Sequence, residues 1–265
     1  MMPPVVVCYA AAPDTPGQAA SPWQAEYAAL RAQSVPLALL TKELNFSDKA
    51  SVPSGAEILW RGEKLSATAY AKLEGALAAQ RHRLRTTAQD YSRARQIPGW
   101  LATLPDHTAQ TRVVPKSHFS RLPAVAEKLG WWPLRVRGYT GRLAGESSLA
   151  ANPEELCALI ASCGEFEGGI ALRKAENYLP GSRQRFFIWH QNVWPHPVAS
   201  AEASELARLA ARHFWHPFYS LDVAQRDDGR WRVLSIDDGQ VSALKEWSAE
   251  LFARCLRPSL QPHLA

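Results

Sequence analysis

Three aspartates near the C-terminal end of the chain, Asp222, Asp237 and Asp238, are the side chains best placed to do chemistry. Asp222 lies in Tyr219-Ser220-Leu221-Asp222-Val223-Ala224, where strand alternation sets its carboxylate on one face with Ser220 and Ala224 and its apolar neighbours on the other. Asp237 and Asp238 end a second run, Val233-Leu234-Ser235-Ile236-Asp237-Asp238-Gly239. Between the runs, Asp228-Gly229 is a strong hairpin signal. Carboxylates gathered at the end of two paired strands make a hard-oxygen site suited to magnesium, which takes one or two carboxylates plus phosphate oxygens. The same letters also read as a polar turn and an exposed strand residue, and pattern alone leaves both readings open.

Other reactive residue types form no such set. The cysteines Cys8, Cys157, Cys163 and Cys255 match no common zinc spacing and read as reduced core thiols, and Cys163, beside Gly164, has no neighbouring histidine. His107, His118, His190, His196, His213 and His216 are scattered; His213 and His216 have helical spacing but no further ligands nearby. No Gly-x-x-x-x-Gly-Lys-Ser/Thr element occurs, which disfavours a P-loop enzyme. The ten tryptophans, Trp131-Trp132 included, read as core and strand residues rather than a base-stacking platform.

With 265 residues, 46% of them hydrophobic, the chain can bury a substantial core. No apolar stretch approaches the roughly 20 residues needed to span a bilayer. Met1-Met2-Pro3-Pro4 lacks a basic region leading into an apolar run, so a cytoplasmic protein is expected. A formal charge of +5 suits a polyanionic partner such as a nucleotide, a nucleic acid or an acidic peptide. The densest basic cluster, Arg81 to Arg85, reads as the solvated end of a helix.

The positioning elements follow from periodicity and turn chemistry. Val5 to Tyr9, a helix over Trp23 to Gln33 and a strand over Val35 to Leu40 suggest a β-α-β opening. Ala56 to Trp60 reads as a strand, and Ser66 as the cap of a helix carrying Tyr70, Leu73 and Leu77 on one face. Thr87 to Arg95 is a second short helix, after which Ile97-Pro98-Gly99-Trp100 breaks the pattern and puts a boundary near 100–112. Farther on, strands are expected at Arg112 to Pro115, Leu134 to Arg137, Gly169 to Ala175 and Arg185 to His190, the last two as a hairpin-like pair around Pro180-Gly181. Helices are expected at Glu154 to Ser162, Ala201 to His213 and Ser242 to Cys255, with the acidic hairpin between the last two.

The run Phe218 to Ala224, the Asp-Gly turn with Trp231, and Val233 to Ser242 resemble the metal-binding C-terminal hairpin of the ATP-grasp superfamily. By this resemblance Asp222 and Asp238 are the metal ligands, with Asp237 adjacent, and Ser235 stands where the family usually has Glu. Trp131 to Arg137 resembles the strand that delivers a lysine to the ATP phosphates, a position held here by Arg137; an arginine keeps the charge and changes the geometry. Lys116 is similar in place to the first nucleotide-contacting lysine. Glu167 to Lys174 resembles the strand leading to the hinge where backbone groups meet adenine, which points to Ala171, Leu172 and Arg173. Arg183 to Trp189 resembles the strand presenting an arginine to the transferred phosphoryl group or the substrate carboxylate, a place that fits Arg185. Ile58 to Gly62, Tyr70, Tyr91 and Pro98-Gly99-Trp100 resemble small standalone bacterial or phage members of unassigned substrate.

The resemblance implies an α+β protein of ATP-grasp fold that holds its nucleotide between two α+β subdomains. An α/β region over 1–110 precedes an ATP-grasp region over 111–265 with a hinge near 170–176. It implies ATP and Mg2+ as cofactors, Arg185 and Arg173 as catalytic residues, and ATP-dependent ligation of a carboxylate to an amine or thiol through an acyl phosphate, on an amino acid or peptide. Ser235 and Arg137 motivate an alternative, a non-catalytic nucleotide-binding or regulatory protein. The basic balance motivates another, a nucleic-acid-binding module.

Overall fold

Val5 to Ala10 form β1, an apolar, β-branched run of the kind that suits a strand covered on both faces. In the computed structural model, which describes residues 3–141, 148–163, 166–194, 196 and 198–260, Val6 through Tyr9 are each 0% exposed. Met1, Met2 and Gly164, named above, lie outside the described residues. After α1 (Gln24–Ala32) come β2 (Leu37–Leu40), β3 (Glu57–Arg61), α2 (Ala67–Ala79) and β4 (Arg83–Leu84), completing a parallel sheet ordered β2-β1-β3-β4. Ser66 caps α2 by accepting the Ala69 amide at 3.1 Å, and Tyr70, Leu73 and Leu77 are its buried stripe.

The Arg81 to Arg85 cluster is not the solvated helix end expected. α2 stops at Ala79, Arg81 turns left-handed at φ 65°, and Arg83-Leu84 joins the sheet. Arg85 then turns inward onto Glu57 and the His190 ring, so the cluster's cations are divided between solvent and internal pairs.

α3 (Ala88–Arg95) is followed by α4 (Ile97–Leu101), where the sequence suggested a break. Pro98 sits in the first turn of α4, where its missing N–H costs nothing, and Gly99 passes so close to α3 that a Cβ would meet the Arg93 carbonyl oxygen at 2.2 Å.

A second sheet, antiparallel, uses β5 (Thr111–Pro115), α5 (Leu122–Leu129), β6 (Leu134–Gly138), β7 (Leu149–Ala150), α6 (Pro153–Ser162) and β8 (Gly169–Lys174) in the order β5-β8-β6-β7. Val114, Leu134, Val136, Ile170 and Leu172 pack on α5 and α6. Register puts the rungs Thr111/Arg173/Arg135 and Val113/Ala171/Arg137 on the opposite face.

The third sheet uses β9 (Gln184–Trp189), β10 (Asn192–Val193), α7 (Ala201–His213), β11 (Phe218–Gln225) and β12 (Trp231–Asp238), ordered β10-β9-β11-β12 and antiparallel; α8 (Ala249–Ser259) follows. β8 and β9 are therefore not a hairpin. β8 already has β5 and β6 on its two edges, so the 175–183 connection carries the chain to another sheet. The last helix starts at Ala249, capped by Ser248, rather than at Ser242, because Gly239–Val241 forms a 3-10 turn and an irregular segment follows.

Both faces of the third sheet are covered. Phe186, Ile188, Tyr219, Leu221 and Ile236 pack with α7, α3 and α4, while Phe187, Trp189 and Phe218 meet α8 and the first sheet. At this junction Arg61, 0% exposed, donates from Nε and Nη2 to Glu26 at 2.6 and 2.5 Å, and from Nη1 to the carbonyls of Gly239 and, at 3.2 Å, Ser242. Tyr9 donates to the same Glu26 at 2.5 Å, and the guanidinium carbon lies 4.8 Å from the ring centres of both Trp23 and Phe252.

Removing one partner of such a pair leaves a buried charge uncompensated. Glu26→Gln is expected to cost about 3–5 kcal/mol, and Arg61→Met with Glu26→Leu to recover most of it. Urea denaturation of the three proteins checks this, and a loss under about 1 kcal/mol for Glu26→Gln would overturn it.

Candidate functional site

The pairing of β11 with β12 decides which acids meet. Ser220 lies opposite Asp237 and Asp222 opposite Ser235; the register then shifts, so Val223 faces Val233 and Leu234 is left as a bulge. Directly opposed residues share a face, so Ser220, Asp222, Ser235 and Asp237 stand together, with Arg185 opposite Asp222 from β9. Asp238 points to the other face. It is 0% exposed, its Oδ1 accepts the Gln240 amide at 2.8 Å, and its Oδ2 lies 3.2 Å from His216 Nε2. His216 Nδ1 accepts the Phe218 amide at 3.2 Å, which leaves the ring proton on Nε2, within ion-pair reach of Asp238 but misaligned for a hydrogen bond. The expected grouping of Asp222 with Asp238 is thus corrected: alternation along β12 brings Asp237 to Asp222 and buries Asp238.

Asp222 is 2% exposed and crowded by cations. Arg185 grips it bidentately, Nε to Oδ1 at 2.8 Å and Nη2 to Oδ2 at 3.0 Å. Oδ2 also accepts from Arg183 Nη2 at 2.5 Å, Lys245 Nζ at 2.6 Å and Ser235 Oγ at 3.2 Å. Burial alone raises this carboxyl, but Arg185, with Arg183 and Lys245, holds it well below the usual carboxylate range. Burial pushes the Lys245 ammonium down to about 8, against the pull of Asp222. Arg183 and Lys245 are the site residues that sequence reasoning missed. Period-two spacing from Arg185 is a signal for Arg183; Lys245 lies in a segment read as helix and had none.

The second sheet turns its arginine face toward β12. Arg137, half-buried, donates to the Leu234 carbonyl at 3.2 Å, and Arg173, 5% exposed, donates to the same oxygen at 2.8 Å and to the Thr108 hydroxyl. Thr108 passes the link on by donating to the Val233 carbonyl at 2.8 Å. Two strands of the second sheet thus hold the carbonyl of the bulge residue, which the β11 ladder leaves over.

Ala171 and Leu172 do not offer backbone groups to a ligand, since β8 is bonded along both edges at these residues. Beyond the strand's end lies a cavity of about 350 Å³, lined by Lys174, Ala175, Glu176, Asn177, Arg226 and Arg232 among others. Glu176 accepts from Tyr178 at 2.6 Å and pairs with Arg226 at 3.1 Å and Arg232 at 3.3 Å. Lys116 is exposed just after β5, where its amide donates to the Gly168 carbonyl at 3.0 Å, and it is not drawn into either cluster.

Asp237 pairs with Lys64 and, at 3.5 Å, with Arg95 Nε, both from the N-terminal region. Among the described residues no three carboxylate, imidazole or thiol groups converge. Asp237 stands diagonally across the strand pair from Asp222, with the Ser235 hydroxyl between them, so these two acids are the ones that could hold a magnesium ion completed by phosphate oxygens.

Residues 98–256 match the family model described as ATP-grasp domain, R-2-K clade family 3. Among solved structures the chain is similar to N5-carboxyaminoimidazole synthase from Aspergillus clavatus, in complex with ADP and 5-aminoimidazole ribonucleotide. The TM-score is 0.65 at 12% identity, covering 97% of this chain and 77% of that one. It is also similar to D-alanine–D-alanine ligase from Bacillus anthracis complexed with ATP, at TM-score 0.59 and 16% identity over 97% of each chain. A third is the ATP-grasp ligase PsnB, complexed with a phosphomimetic variant of its minimal precursor, Mg and ADP, at TM-score 0.62 and 10% identity, covering 98% of this chain and all of that one (100%). At these identities the likeness is one of fold. No curated protein matches the sequence.

The two acids differ in what they support. Asp222→Asn leaves three clustered cations without their counter-ion and is expected to cost about 3 kcal/mol. Asp237→Asn loosens a pair with the half-exposed Lys64 and is expected to cost under about 1 kcal/mol. Equal losses in urea denaturation would show that the two carboxylates do the same work.

Proposed function

The chain belongs to the ATP-grasp domain family, and from that premise we propose that it binds ATP between its second and third sheets and uses it to join a carboxylate to an amine or thiol. The observation that carries the reading is the concentration of cations beside β12: Arg137 from β6 at the Leu234 carbonyl, and Arg183, Arg185 and Lys245 around Asp222, opposite Ser235. A triphosphate is the anion such a surface suits.

In this reading Arg137 meets the phosphates from β6. Arg173 acts as the clamp between sheets, since its donors are committed to Leu234 and Thr108. Adenine is taken by peptide groups at 175–177, where the chain leaves β8, rather than by Ala171 and Leu172. Lys116 remains a phosphate contact from an exposed position. Asp222 and Asp237 would hold magnesium, which when bound neutralises and orients phosphate oxygens.

The chain's own contribution to ligation is positioning and charge. A substrate carboxylate oxygen attacks the γ-phosphorus and ADP leaves; the amine or thiol then attacks the acyl carbon, and phosphate leaves carrying the proton that the nucleophile gives up. Both steps move negative charge among oxygens, so fixed guanidinium and ammonium groups assist without a protein nucleophile. One solved ligase of similar fold is named for D-alanine and another was solved with its minimal precursor, which supports an amino acid or peptide here. No described helix is long and apolar enough to cross a membrane. The four cysteines are free, which supports a reaction set in the cytoplasm.

Ser235 favours a second reading, nucleotide binding without turnover, because a hydroxyl replaces the acid the family usually has there. Thermal unfolding with ATP, ADP and magnesium tests binding: at a hundredfold excess over Kd the folded state gains about 2.7 kcal/mol, and Arg137→Met is expected to shrink that gain. No shift with any adenine nucleotide would sink the proposal. ADP and phosphate release with a panel of amino acids and peptides then separates ligase from non-catalytic binder.

A further inference from the structure

Asp237 carries a cation that its own hairpin does not supply. Its Oδ1 accepts the Asp238 amide at 3.1 Å and faces Arg95 Nε at 3.5 Å, while Oδ2 accepts from the Lys64 ammonium. Oδ2 is the oxygen more open to a metal ion, and Lys64 is on it. Lys64 lies between β3 and α2, in a segment fastened at both ends. On one side the Gly62 amide donates to the Gln240 carbonyl at 3.2 Å. On the other, the Leu65 amide donates to the Tyr91 hydroxyl at 2.9 Å and the Leu65 carbonyl accepts from Arg95 Nη1. The fold thus fixes the backbone that presents Lys64 and leaves its side chain, 50% exposed, able to quit the acid.

The two acids of this face differ in how readily they give up their cations. Asp222, 2% exposed, is gripped bidentately by Arg185, whereas Asp237 is 14% exposed and its hydrogen-bonded partner is a flexible ammonium at the surface. Among the described residues, five cations are ion-paired with the two acids: Arg183, Arg185 and Lys245 with Asp222, and Lys64 and Arg95 with Asp237. A bare divalent ion entering this face meets an excess of positive charge, and at Oδ2 of Asp237 it must also displace or crowd an ammonium. Nucleotide phosphates change both conditions. They reverse the local excess, and they offer Lys64 other acceptors, which its four-carbon stem lets it follow.

We infer that Lys64 makes metal binding at Asp237 conditional on nucleotide: it opposes a bare divalent ion and yields to one that arrives with phosphate oxygens. The inference rests on the reading above, in which Asp222 and Asp237 hold magnesium beside ATP, and adds to it the residue that couples the two ligands. Arg95 does not share this part. Its side chain is 9% exposed and committed to the Leu65 carbonyl and, at 2.9 Å, the Tyr91 hydroxyl, so it adds the same charge with or without nucleotide. Lys64 differs because its pairing with Asp237 is exchangeable, and a surface pair of this kind accounts for up to about a fivefold change in an equilibrium constant. Coupling of this sort is reciprocal, so it is readable from the metal side alone.

Manganese, which takes the same oxygen ligands as magnesium, is the probe. Its binding to the full chain is followed by electron paramagnetic resonance, with and without a β,γ-imido analogue of ATP and with protein in excess over the analogue. Lys64→Met is expected to tighten manganese binding without nucleotide by about fivefold and to leave binding with the analogue within about twofold, so that the ratio of the two affinities falls. Lys64→Arg keeps the charge and should keep the ratio. An equal gain in both conditions, or no change without nucleotide, in a Lys64→Met chain whose thermal midpoint matches the parent's would overturn the coupling and leave the metal reading standing. Manganese that binds neither chain, alone or with the analogue, would overturn the metal reading itself, and the coupling with it.

Discussion

Arg61 occupies the point where three parts of the chain meet, and its guanidinium is satisfied only if all three are in place. Glu26 comes from the helix after β1, the carbonyls of Gly239 and Ser242 come from the segment after β12, and the aromatic rings above and below come from Trp23 and Phe252. A buried ion without its partners costs several kcal/mol, so partial docking of the N-terminal sheet is penalised as well as unpacked. Gln240 reinforces the same seam: its side chain accepts the Trp60 amide at 3.0 Å and donates to Tyr70 at 2.7 Å, and its carbonyl accepts the Gly62 amide at 3.2 Å. Gly239 is needed here because a Cβ would meet the Phe218 ring at 2.6 Å. The end of β12, and Asp237 with it, is thereby fixed by the N-terminal sheet rather than by the hairpin alone.

The bulge at Leu234 makes the second junction. An extra residue in β12 releases a carbonyl from the ladder, and a buried carbonyl needs a donor. Arg137 and Arg173, on neighbouring strands of the second sheet, supply it. A local irregularity in one sheet thus becomes the docking point of another, and it does so one residue from Ser235. The relative position of the second sheet's arginines and the acids of β12 depends on this contact. A regular β12 would leave Arg173, buried and charged, without the Leu234 acceptor.

Local chemistry was legible in the sequence, and pairing over distance was not. The cap at Ser66, the strands of the acidic hairpin and its Asp-Gly turn depend on neighbours in the chain, and they are where the letters put them. The separation of β8 from β9 depends on which edges β5 and β6 already occupy, which no local signal records. Asp237 and Asp238 show the boundary most clearly. Alternation from Ser235 selects Asp237 for the face of Asp222, while resemblance to a motif favoured Asp238, and the buried His216 that claims Asp238 lies 22 residues upstream. Lys245 was illegible because its place depends on a left-handed turn at a residue that carries no glycine to announce it.

The distribution of charge separates the ion pair at Arg61 from the proposed binding cluster at Asp222. Around Arg61 and Glu26 the donors and acceptors match closely, burial is complete, and aromatic rings exclude water; nothing there is left to bind. Around Asp222 the cations outnumber the acid, two of them reach solvent, and a strained backbone keeps the excess in place. A stability device is best when balanced, because each surplus like charge repels its neighbours and weakens the pair it joins. Surplus positive charge held in place by the fold is therefore an argument for an incoming anion.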